Sequence, residues 1–105
     1  MRQRLAAILS ILYGYNYIDF FSVNILLREI FNNDISFLDR EDRMDIARDY
    51  LFRLYPEFKN IVLYGNNKEA AIVQINYYAK LLGNRLVVPP ISEELLNNYK
   101  SKTFK

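Results

Sequence analysis

A helix-rich α+β domain is the fold class that this 105-residue sequence predicts. Three observations predict it. Apolar residues recur at helical spacing along much of the chain, and two short apolar runs, 60–64 and 86–88, resemble buried strands. Between them lies an alanine-rich segment with a helical face, so strand, helix and strand follow one another as a βαβ-like unit over 60–89.

The first helix is read from Leu5, Ile8, Leu9 and Leu12, which fall on one face. Arg2 and Arg4 ahead of that run resemble the start of a signal peptide, but no small-residue cleavage pattern follows. The link YGYNYI reads as irregular or briefly extended, with room for a third strand. Val23, Leu26, Leu27, Ile30 and Phe31 then give a second amphipathic helix. Asp39 is placed to cap a third, whose buried face is Met44, Ala47, Leu51 and Leu54 and which Pro56 ends.

The segment after "NIVLYG" predicts a helix over 68–82, on Ala71, Ile72, Ile75, Tyr78, Ala79 and Leu82, closed by Gly83. A hairpin turning at GNNK competes with it, because Val73, Ile75 and Tyr77 alternate; the helical face is the better match. "RLVVPP" reads as the second strand, stopped by its prolines. Ser92 is placed to cap a short C-terminal helix. The chain reads as one domain, 1–105, with 101–105 a loose basic tail. Two parallel strands make a poor sheet, and a second copy of the chain is one way to complete it.

Composition narrows function by exclusion. With no cysteine and no histidine, disulfides, thiolate or imidazole metal sites and Ser-His or Cys-His nucleophiles are ruled out. No cofactor, metal or catalytic residue is expected. No window reaches the ~18 apolar residues of a membrane span, and a reducing cytoplasm is the expected location. Abundant Ile, Asn, Tyr and Lys fit an A/T-rich genome, such as that of a virus or low-GC microbe. Charge is uneven: 34–58 is acidic and 59–105 basic.

Four stretches compete for function. Gly65 and Lys68 suggest a phosphate-binding turn, but one glycine is too few for either nucleotide-binding fingerprint. A plain turn explains the same letters, with Gly65 left-handed, Asn66 as cap and Glu69 completing a capping box. On the acidic helix, Asp42, Asp45 and Asp49 share a face where Mg²⁺ could sit. The interleaved Arg40, Arg43, Arg48 and Arg53 instead predict i, i+4 surface pairs such as Asp39 with Arg43 and Asp49 with Arg53.

Tyr15 and Tyr17 are the aromatics with the best prospect of exposure, whereas core packing is the default for the others. The expectation is therefore a small non-catalytic binding protein, a viral or accessory factor that occupies a partner's surface and self-associates. Its contact residues are Tyr15, Tyr17, Glu41, Asp42, Asp45 and Asp49. The alternative is a sequence-independent nucleic-acid binder using Lys68, Arg85, Lys100, Lys102 and Lys105.

Overall fold

The computed structural model describes residues 2–13, 20–32, 36, 38–65 and 67–103. Six α-helices and a 3-10 turn account for most of them: α1 (Arg2–Tyr13), α2 (Phe20–Ile30), α3 (Arg40–Leu54), α4 (Pro56–Tyr64), α5 (Lys68–Leu82), the turn Gly83–Arg85, and α6 (Glu93–Thr103). No strand occurs among the described residues. The expected α+β class and the βαβ unit over 60–89 are therefore incorrect, and the fold is all-helical. The helix expected over 68–82 is present at those bounds, and its hairpin competitor is absent.

Both would-be strands fail for identifiable reasons. The run Ile61–Tyr64 is the second half of α4, which Pro56 opens at its first position. Proline fits there because its missing N–H is one that no helix start can use. It also keeps Tyr55 out of the helical region, at φ −134° and ψ 83°, so α3 stops where α4 begins. Phe58, Ile61 and Val62 then recur at i, i+3 and i+4 and pack on the core, Phe58 completely buried.

The second run, Leu86–Val88, is extended but has no strand beside it. Tyr55 takes the place of that strand. Its hydroxyl accepts from the Val87 N–H at 2.7 Å and lies 2.6 Å from the Val87 carbonyl oxygen and 3.0 Å from that of Arg85. Tyr50, one turn earlier on α3, donates to the Pro89 carbonyl at 2.8 Å. Ile91 N–H donates to the Ile30 carbonyl at the end of α2 at 2.8 Å, satisfying one of the acceptors that a helix terminus leaves open. Residues 86–91 thus form a strap that leads into α6, with Leu86, Val88 and Ile91 turned into the core.

One connected core joins these pieces. Ile8, Ile11 and Leu12 of α1, Val23, Leu26 and Ile30 of α2, and Ala47 and Leu51 of α3 meet the strap and Leu96 and Tyr99 of α6. Helix α1 packs against α2, α3 and α5. Helices α4 and α5 form a hairpin whose core side carries Phe58, Ile75 and Ala79. Phe58 meets Tyr78 edge-on at 5.5 Å between centroids, a favoured aromatic geometry.

Caps follow the sequence closely. Asp39 accepts from the Asp42 N–H at 2.8 Å, and Ser92 accepts from the Leu95 N–H at 3.1 Å. For α5 the cap is Asn67, accepting from the Ala70 N–H at 2.8 Å, so Glu69 is not at the position a capping box requires. Asn66 lies outside the described residues. Gly65 is not left-handed, at φ −69°. A Cβ there would lie 2.5 Å from the Ile61 carbonyl oxygen, so close approach is what favours glycine. Gly83, at φ +53°, is the position where backbone conformation itself selects glycine.

Replacing Tyr55 by Phe should take the phenol from the Val87 carbonyl and leave the Val87 N–H only its 3.0 Å bond to the Arg85 carbonyl, at about 1–3 kcal/mol for a polar group that loses its partner. For a domain of this size that corresponds to a melting temperature lower by roughly 4–8 °C per kcal/mol. An unchanged thermal midpoint for Tyr55→Phe would show that the strap is held by its apolar contacts alone.

Candidate functional site

The acidic helix is largely occupied with its own chain. Asp45 accepts from Arg48 at 2.8 Å and Asp49 from Arg53 at 3.2 Å, the exposed pairing expected of alternating charge. Asp49 also accepts from the Tyr99 hydroxyl of α6 at 2.5 Å, and the Arg53 guanidinium lies 5.5 Å from that ring. Asp39 uses its carboxylate as the cap, in place of the expected pair with Arg43. Glu41 is exposed, and Asp42 is half-buried. Burial, with the neighbouring Asp39 charge, pushes the Asp42 carboxyl above the usual range. Among the described residues no group of acidic side chains is arranged to hold a metal ion. Tyr15 and Tyr17 lie outside the described residues.

The basic residues are spread over the molecule. Lys68 opens α5, and its ammonium lies 5.7 Å from the Tyr13 ring. Arg85 lies past the other end of that helix, whose 15 residues at about 1.5 Å each span roughly 22 Å. Its guanidinium folds back on the Leu81 and Leu82 carbonyls at 3.1 and 3.4 Å. Lys100 is exposed on α6, which also carries Lys102; Lys105 lies outside the described residues. Lys68 and Arg85 therefore do not share one phosphate-binding surface. Beside Lys68 a hollow of 340 Å³ is lined by Tyr13, Ile61, Val62, Gly65, Asn67 and Ala71.

A different surface stands out from the structure. Helix α5 turns Ala71, Ile75 and Ala79 inward, and its outer side carries Val73, Tyr77 and Leu81, exposed by 67, 66 and 57%. These three lie at i, i+4 and i+8 and form one continuous apolar row. Helix α4 adds exposed Leu63 and Tyr64, and Tyr64 shares a hollow of 210 Å³ with Gln74 of α5. The signal was present in the sequence: "AAIVQINYYAKLL" is apolar on more than one side, whereas a surface helix has a single apolar stripe. Monomeric proteins rarely expose contiguous apolar surface without a use for it.

Tyr77 and Tyr78 take opposite roles. Tyr78 turns inward and its hydroxyl donates to Glu57 of α4 at 2.8 Å, bracing the α4–α5 hairpin. Burial and the Glu57 carboxylate hold its phenol neutral and push its pKa up to about 12; burial and Asp49 likewise raise Tyr99. A phenol raised above its unfolded value of about 10 contributes fully below pH ~10 and loses that contribution as pH climbs toward 12. The melting temperature of the wild type relative to Tyr78→Phe should therefore hold steady up to pH ~10 and fall between there and pH ~12. A difference that stays flat across that range would show that Tyr78 ionises as readily folded as unfolded.

Comparison with protein-family models, with curated proteins and with solved structures finds no match to this chain.

Proposed function

We propose that this is a small non-catalytic binding protein that works by presenting the outer face of the α4–α5 hairpin to a protein partner. The observation that carries this reading is the apolar row Val73, Tyr77 and Leu81, with Leu63 and Tyr64 beside it. Burying such a row is worth about 25 cal/mol per Å² of apolar area. Tyr at its centre suits an interface, because a large amphipathic ring adds contact area while its hydroxyl keeps a polar partner. The exposed Glu41 on α3 offers a separate acidic contact for a basic partner.

The chemistry of the chain favours occupying a surface over turning over a substrate. It contains neither histidine nor cysteine, and its best-placed carboxylates already accept from arginine or tyrosine. The row sits on a rigid platform, since α5 is pinned by Ile75 and Ala79 in the core and by the Tyr78–Glu57 bond. A rigid platform lowers the ordering cost of binding.

A photo-crosslinking amino acid placed at position 77 in the native cell should capture protein adducts, while the same residue at Glu94 on α6 should not. Adducts of any composition at position 77 support the reading. Their absence, or equal capture from both positions, overturns it. Val73→Ser with Leu81→Ser should change the intrinsic folding stability by no more than about 0.5 kcal/mol, as expected for exposed positions, yet abolish the adducts.

A further inference from the structure

We infer that the occupant of the α5 row is a second copy of this chain, docked antiparallel about a two-fold axis through Tyr77; this rests on the reading of the row as a binding surface. The row is self-complementary in the sense that an isologous dimer requires. Tyr77 is its centre, with Val73 four residues before and Leu81 four after. Glu69 stands eight residues before Tyr77 and Arg85 eight after.

An antiparallel partner centred on Tyr77 sets Val73 against the partner's Leu81 and each Tyr77 against its own copy. At the two rims it sets Glu69 against the opposite charge of the partner's Arg85. Arg85 itself lies in the turn past Gly83, and its guanidinium folds back on the Leu81 carbonyl at 3.1 Å, which holds its charge at the C-terminal end of α5 beyond Leu81. Lys80 meets Gln74, so no like charges oppose each other. A parallel partner would set Glu69 against Glu69 and Arg85 against Arg85, which is repulsive at both ends.

The spacing also suits helix packing. A row at i, i+4 and i+8 is a ridge of the kind that interdigitates when two helices cross at about −50°, the commonest class in globular proteins. Tyr64 and Leu63 of α4 widen the apolar surface beside the crossing. A contact built mainly on one helix face is at the small end of specific interfaces, so association should be reversible and depend on concentration.

The absence of cysteine makes a direct test available. In mild oxidant, Tyr77→Cys should form a disulfide-linked dimer, and a mixture of Val73→Cys with Leu81→Cys should cross-link to each other. Val73→Cys alone should cross-link no better than a control cysteine at Glu94. Efficient 73–73 linkage, or 77–77 linkage no better than the control, overturns the arrangement. In sedimentation equilibrium Glu69→Lys should weaken dimerisation by roughly tenfold, since each dimer contains two such rim contacts. Adding Arg85→Glu in the same chain should restore it, and failure of that rescue also overturns the antiparallel register. Adducts from position 77 that contain only other proteins would leave the row a binding surface and refute the second copy as its occupant.

Discussion

Two phenol groups, Tyr50 on α3 and Tyr55 just past its end, hold the two halves of this protein together. The chain from α1 to α5 is built largely from neighbouring helices, but α6 reaches the core only because residues 86–91 cross it as an extended strap. That strap has no hydrogen-bonding strand beside it, and a buried backbone without partners is costly. Tyr50 and Tyr55 meet the need from the side, the latter serving both polar groups of Val87. Their rings also fill the core beneath the strap, so the same residues supply apolar burial and polar pairing.

The surface follows from the same arrangement. An apolar run in a central strand can be buried on both faces, but in a helix at the surface it points some of its residues outward. Once Ile61–Tyr64 became helical, Ile61 and Val62 turned toward the core and Leu63 and Tyr64 were left outside. Helix α5 shows the same result, with Ile75 and Tyr78 directed inward and Val73 and Tyr77 outward. The exposed apolar surface of the hairpin is thus tied to the fold class itself.

Much of the fold was legible in particular residues. The stripes of α2 and α3 were legible because polar residues on their outer faces leave one helical period to read, whereas α1 is buried beyond its stripe, with Ala7, Ser10 and Ile11 also covered; Asp39, Ser92 and Gly83 marked helix ends by their capping chemistry. The strands were misread because β-branched runs such as Ile61–Val62 and Val87–Val88 look the same in a short helix, a strap or a strand. What separates them is tertiary: Phe58 anchors one, and two tyrosines more than thirty residues earlier in the chain hold the other. On the surface, alternating charge correctly indicated a paired acidic helix. The row on α5 was hidden because Val73 and Tyr77 entered only as the alternation of a competing hairpin, and a single tyrosine gives no sign of whether it turns like Tyr77 or like Tyr78.

The strap has a further consequence for solubility. An extended Leu-Val-Val segment with free backbone groups is a template onto which another chain can add a strand, and repeated addition of that kind leads to fibrils. Here the N–H and C=O of Val87 are already taken by one phenol, and two prolines follow at once. The most strand-like piece of this protein thus has its central residue withheld from β-pairing.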